Sequence, residues 1–293
     1  MSPDGRVNCL TMTATPLLFS LAGLRTRLEC SPKDFAVDVL ARFGPFIGPD
    51  DGETPVDFTA QVTFAGAQAH ISDADLQVRL AGAECRFDTA AASGKLSLTT
   101  RSANLTLRST SPIAQMEYFL RILYALLAEA HGGLMLHCAG ILAPSGVHLF
   151  IGQSGSGKST ASSLSSGRGV VLNDDLIVLR PEKDYWIAHG TPFWNFETID
   201  RDGQTASAPV AGIYTLVKDL AVYLEPMAAA AAVAALISSC PVVNGDPGRA
   251  PELMARCRQI VRAVPVQQLH FRKDPSFWDV LEVDEGRKTK DGG

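Results

Sequence analysis

What the chain does not contain narrows it before any motif is read. No stretch is long and apolar enough to cross a bilayer: the run from Met227 to Ile237 has eleven residues, against the roughly twenty that a spanning helix needs. The apolar run from Thr13 to Leu24 carries Pro16, and the one basic residue before it, Arg6, is cancelled by Asp4, so it does not read as a secretion signal. An excess of positive charge is missing too. With 26 Lys and Arg against 31 Asp and Glu, the formal net charge is -5, which argues against a nucleic-acid surface, since phosphate backbones demand clustered cations. The six cysteines form no C-x-x-C pair, and no His stands at zinc-finger spacing. Such scattered thiols read as small buried hydrophobes in a reduced, cytoplasmic setting, with a protein or small molecule as partner. There is also no internal repeat and no low-complexity linker, and at 293 residues the chain has ample material for a core.

What is present is organised around one stretch. The apolar strand Val147-His148-Leu149-Phe150-Ile151 runs into Gly152-Gln153-Ser154-Gly155-Ser156-Gly157-Lys158-Ser159-Thr160, and a short helical segment follows. This matches G-x-x-x-x-G-K-[ST], the P-loop or Walker A pattern. Gly152, Gly155 and Gly157 let the backbone take a tight, partly left-handed path. Its N–H groups then form an anion-binding concavity, completed by the positive end of the helix. Lys158 is placed to reach the β and γ phosphates of ATP, and the Ser159 hydroxyl to ligate Mg²⁺.

A second strand, Gly169 to Asn173, ends in Asp174-Asp175. In P-loop proteins a carboxylate at the end of the neighbouring strand faces the metal across from the loop hydroxyl. Two adjacent acids on an extended backbone point in different directions, so one can serve the metal while the other acts as general base. Upstream, Leu134 to Leu142 forms a hairpin with the P-loop strand through the Pro144-Ser145-Gly146 turn, which implies a mixed sheet. His137 on that strand is either a satisfied core residue or, if the hairpin brings it beside the loop, a functional one.

The remaining pattern is coarser. From Phe19 to Leu107 the alternation predicts an antiparallel β layer, with turns at 48–52 and 91–94. A helix opens at Ser111-Pro112 and stops at Gly132-Gly133. After the acids come a hairpin over Leu176–Ala188, strands at 209–217 and 221–224 with Lys218-Asp219 between them, and helices from Pro226 and Pro251. A strand follows at 267–272, then a helix over Pro275–Val283 that packs through Phe277, Trp278 and Leu281. The loop from His189 to Glu197 reads equally as an acceptor contact or as a hydrophobic loop on the core. The expected fold class is α/β: a P-loop nucleotide-binding core with a mixed sheet over 111–283, a β-rich N-terminal region over 1–110, and a mobile tail over 284–293.

Taken together, Leu136-His137, Gly152 to Thr160 and Leu172-Asn173-Asp174-Asp175, in that order, resemble the HPr kinase/phosphorylase superfamily, whose nucleotide core is shared with ATP-dependent phosphoenolpyruvate carboxykinases. The likeness covers roughly Leu134 to Thr191. A weaker likeness reaches Val264-Pro265-Val266 and Asp274-Pro275-Ser276-Phe277-Trp278, and points to the HPr-kinase-related proteins of peptide-modifying systems. The resemblance implies that Lys158 and Ser159 hold phosphates and magnesium and that Asp174 takes the acceptor hydroxyl proton. It also implies that Asp175 supports the metal, that His137 lies near the transferring group, and that the acceptor is a serine hydroxyl on a peptide or small protein. The family's acidic-Arg-Gly signature has no counterpart here, so HPr itself, the reverse reaction and a hexamer are not carried over, although a homo-oligomer is compatible; Glu197 is the residue that would stand in for part of the acidic function. The expected function is thus an ATP·Mg²⁺-dependent kinase acting on a Ser or Thr hydroxyl, with no membrane partner. The alternatives are a nucleotide-binding accessory protein of a peptide-maturation system without transfer activity, and a small-molecule kinase, for which no second basic cluster near the loop is visible.

Overall fold

The computed structural model describes residues 16–69, 78–89, 91–194 and 204–288. The chain divides into two compact units, one built mainly from Arg25–Arg79 and Arg86–Met116 and the other mainly from Glu117–Gly293. The boundary between Met116 and Glu117 follows the first five residues of the helix over Pro112–Ala130.

Strands β1 (Leu17–Leu21) and β2 (Leu24–Ser31) open the first sheet. Residues 17–24 of the apolar run are strand and turn. β3 (Ile47–Pro49), β4 (Phe58–Ala69), β5 (Val78–Ala81), β6 (Glu84–Asp88), β7 (Ala92–Ser97) and β8 (Ser102–Ser109) complete it in the order β3-β1-β2-β4-β8-β7-β6-β5. The expected antiparallel layer is corrected here, because β2 pairs β4 in parallel and β4 pairs β8 in parallel. Parallel neighbours require a crossover, and the one between β2 and β4 contains α1 (Lys33–Phe43). That helix was missed, although Phe35, Val39 and Phe43 recur every fourth residue and are its buried face. The turn expected at 91–94 is also displaced: Ala92, Ser93 and Gly94 lie in β7, and the chain turns at 98–101 instead. Gly94 sits where an added Cβ would lie 2.1 Å from the Asn104 carbonyl oxygen, so glycine there serves close strand approach and not a turn.

The second unit is an α/β arrangement with a mixed sheet. α2 (Pro112–Ala130) precedes β9 (Leu134–Ala143), which pairs antiparallel with β10 (Gly146–Ile151) as the hairpin reading required. Then follow α3 (Lys158–Leu164), β11 (Val170–Asn173), β12 (Leu176–Glu182) and β13 (Tyr185–His189). β14 (Ser207–Lys218), β15 (Tyr223–Pro226), α4 (Ala229–Ser238), α5 (Ala250–Ala263), β16 (Val266–Phe271) and α6 (Phe277–Lys288) complete the chain. The terminal helix extends five residues beyond its expected end at Val283, so the first half of the tail expected to be mobile is helical; residues 289–293 lie outside the described part.

Two long strands give this sheet its shape. β9 pairs β12 through 134–137 and β10 through 138–143, while β14 pairs β13 through 207–209 and β10 through 210–215. Since β12 and β13 also pair, the ring β10-β9-β12-β13-β14 closes on itself. Strands β10, β14 and β16 are mutually parallel in sequence of pairing, so Ile151, Lys218 and Phe271 all emerge at one end. Behind that end Phe150, Tyr214, Leu269, Phe271, Phe277, Trp278 and Leu281 form a buried cluster, with the last three of the expected packing residues in place.

Candidate functional site

The register of these pairings decides which residues meet. Ile151, the last residue before the glycine-rich loop, lies opposite Cys138 of β9, so His137 is the next residue beyond that pair. His137 in turn lies opposite Leu176, the first residue of β12, so Asp174 and Asp175 arrive at the same end. Sequence separations of some twenty to forty residues are thereby reduced to neighbouring positions at the end of the sheet where β10 leads into the loop.

The loop holds itself in an open, cationic form. Gly155 and Gly157 have φ of 79° and 116°, values that side chains rarely tolerate. At Gly157 a Cβ would also sit 2.7 Å from the Phe271 ring, so this residue has to be glycine for two independent reasons. The Lys158 ammonium reaches back over the loop and donates to the carbonyl oxygens of Gly152 at 2.8 Å and Gln153 at 3.4 Å. Burial lowers its pKa from the usual lysine value, with the charge of Asp175 opposing that shift. Ser156 Oγ is buried without a hydrogen-bond partner among the described residues, and Ser159 is half-buried at the start of α3.

The paired acids are set by Asn173. Its buried side chain accepts from the backbone N–H groups of Asp175 (2.7 Å) and Leu176 (2.8 Å) and donates to the Thr191 carbonyl (2.9 Å). This turn of the chain sends the two carboxylates apart. Asp174, 2% exposed, lines a pocket of about 370 Å³ with His137, Ser154, Gly155, Gly157, Lys158, Ser159, Thr160 and Lys218. Asp175, 5% exposed, faces elsewhere: its Oδ1 lies 3.1 Å from His137 Nε2 and its Oδ2 accepts from Arg121 at 3.0 Å. Arg121 is itself held by Glu117 at 2.8 Å, one turn earlier on α2, and sits 5.8 Å from the centre of the Phe193 ring.

Of the expected residues, His137, Ser154, Gly155, Gly157, Lys158, Ser159, Thr160 and Asp174 line one pocket. His137 lies beside the loop: its side chain is 44% exposed and borders the pocket. Gly152, Gln153, Ser156 and Asp175 are not among the pocket-lining residues, and Asp175, expected to support the metal, has both carboxylate oxygens engaged by protein cations or donors. The loop after β13 packs inward where it is described, with Thr191, Phe193 and Trp194 buried, while Asn195, Phe196 and Glu197 lie outside the described residues. Sequence reading missed Arg121, whose signal was a single basic residue on a largely apolar helix, and Lys218, whose signal was a basic residue at the end of a strand.

No protein-family model matches the chain, and no curated protein does. Among solved structures it is similar to the Hpr(Ser) kinase/phosphatase from Coxiella burnetii, with a TM-score of 0.32 and 13% identity over 54% of this chain and 99% of that chain. So slight a likeness transfers no role to any residue, and the chemistry rests on the pocket itself. Among the described residues no helix is long and apolar enough to cross a membrane.

Proposed function

We propose that this chain is an ATP- and Mg²⁺-dependent kinase that transfers the γ-phosphoryl group to a Ser or Thr hydroxyl of a peptide or small protein. The observation that carries this reading is the meeting of Lys158, Ser159, Asp174 and His137 around one pocket at the mouth of the glycine-rich loop. The donor set fits a magnesium triphosphate: Lys158, the glycine-rich backbone and the Ser156 hydroxyl, unpartnered among the described residues, supply donors, and Asp174 is the acidic side chain lining the pocket. Magnesium keeps several waters and needs few protein oxygens besides the phosphates, so Ser159, with Asp174 facing the same pocket, is sufficient to hold it. When bound, the ion neutralises charge on the phosphate oxygens.

The chain's own residues divide the remaining work. Lys158 orients the phosphates, and exchanging its two carbonyl partners for phosphate oxygens gives it stronger, charge-assisted bonds. Asp174 accepts the acceptor hydroxyl proton as the new oxygen–phosphorus bond forms and the bond to the bridging oxygen of the departing ADP breaks. His137, steadied by Asp175 on one side, borders the acceptor end, and Asp175 in this reading orients His137 instead of ligating the metal directly. Most of the acceleration then comes from positioning and electrostatics.

Asp174→Asn tests the assignment. Incubated with γ-labelled ATP, Mg²⁺ and serine-containing peptides, the wild-type chain labels a peptide, whereas the variant loses at least about a hundredfold in rate, the usual worth of a general base, with nucleotide affinity retained. Transfer by the variant at the wild-type rate would remove Asp174 from the mechanism. Absence of any label with the wild-type chain across a broad peptide set would favour a nucleotide-binding accessory protein.

A further inference from the structure

Lys218 enters the pocket from a part of the chain with no motif. It is the last residue of β14, a strand parallel to β10, and Thr215 pairs with Ile151, the residue that leads into the glycine-rich loop. Three residues later β14 ends at the same edge as the loop, and Lys218 lines the pocket together with Lys158, Ser159, Asp174 and His137. Its side chain is exposed and forms no hydrogen bond or ion pair among the described residues.

The surroundings explain why its charge remains available. The adjacent Asp219 is engaged by other groups: its Oδ2 lies 2.9 Å from His270 Nδ1, its Oδ1 accepts from the N–H of Leu220 at 2.6 Å and of Ala221 at 3.2 Å, and its own N–H donates to the Phe271 carbonyl at 3.0 Å. His270 is held on its other side by Glu225 at 3.2 Å and stacks on Tyr223 with ring centres 4.2 Å apart. The base of Lys218 is thereby clamped to β16, and β16 is clamped to the loop, because Phe271 fills the space beside Gly157. A long cationic side chain on a rigid base, next to a phosphate-type loop, is suited to read one charge at a set distance from that loop.

We infer that Lys218 binds the terminal phosphate of the nucleotide, so that the pocket distinguishes a nucleoside triphosphate from a diphosphate. This rests on the reading of the pocket as a nucleotide site. Lys158, tethered over the loop, reaches the β and γ phosphates and so contacts a diphosphate as well as a triphosphate. The Asp174 and His137 end, where transfer takes place, is where one more negative charge arrives with a triphosphate and leaves with the product. A second cation lining the same pocket holds the group to be transferred and gives up its partner once the phosphoryl group has moved, which favours release of the diphosphate.

Calorimetric titration of the full chain with the β,γ-imido analogue of ATP and with ADP, both with Mg²⁺, tests this without relying on turnover. In Lys218→Ala the affinity for the triphosphate analogue falls about tenfold or more, the worth of one charge-assisted bond, while that for ADP changes less than about twofold. Lys218→Arg restores most of the preference. Lys158→Ala, by contrast, weakens both. If Lys218→Ala weakens both nucleotides equally, or neither, the assignment to the terminal phosphate is wrong while the nucleotide site stands. If the wild-type chain binds neither nucleotide, the site reading fails and Lys218 with it.

Discussion

In the proposed mechanism a few side chains carry nearly all the chemistry, and their neighbours set what each can do. Asp174 and Asp175 are adjacent and chemically identical, yet the Asn173 turn sends one into the pocket and the other to Arg121 and His137. Away from the site, His189 shows how burial alone decides a titration. Burial is the main reason its pKa falls from 6.5 to about 4, reinforced by Arg180 and opposed by Glu182. Between those two values the unfolded chain takes up a proton at this position that the folded chain does not. Stability therefore falls as pH is lowered from 6.5 to 4, by less than about 3 kcal/mol after allowing for partial exposure. His189→Gln removes that component, and urea titrations at pH 7, 5.5 and 4 will show a flatter profile; parallel profiles for the two proteins would rule it out.

At the level of strands and helices, the loop owes its support to elements far away in the chain. α6 packs Phe277, Trp278 and Leu281 into the cluster behind β10, and Trp278 Nε1 donates at 3.1 Å to Ser165 Oγ, just beyond the end of α3. Ser165 Oγ donates in turn to the Ala161 carbonyl at 2.7 Å, so the indole is tied to the helix that begins with Lys158. Trp278→Ala should cost about 3–5 kcal/mol through lost packing. Trp278→Phe, which keeps most of the volume and loses the N–H donor, should cost about 1–2 kcal/mol. Chemical denaturation measures both, and equal small losses would show that α6 does not brace the loop helix. The spacing of Phe277, Trp278 and Leu281 made this packing readable in advance. By contrast, α1 was passed over within a β-rich window, because a short amphipathic helix between strands carries few residues with which to outweigh its flanks.

For the chain as a whole, a net charge of -5 coexists with a pocket lined by two lysines, so the attraction for anions is local rather than global. Magnesium-ATP at a hundred times its dissociation constant should stabilise the wild-type chain by about 2.7 kcal/mol and raise its melting temperature by several degrees. Lys158→Ala should abolish that shift, and a wild-type melting curve indifferent to ATP would contradict nucleotide binding. The residues that define the loop, the strand leading into it and the acids after Asn173 were legible in order along the chain, because a phosphate cradle and a strand ending in carboxylates are local arrangements, encoded within a few neighbouring residues. The parallel pairings of β2, β4 and β8 were not, since alternation has the same period in either direction. Nor could spacing say that Arg121 would claim Asp175, or that Lys218 would reach the loop. Arg121 and Asp175 are 54 positions apart and Lys158 and Lys218 are 60 apart; the register of β9 with β12 carries Asp175, and that of β10 with β14 carries Lys218, to the end of the sheet where the loop begins.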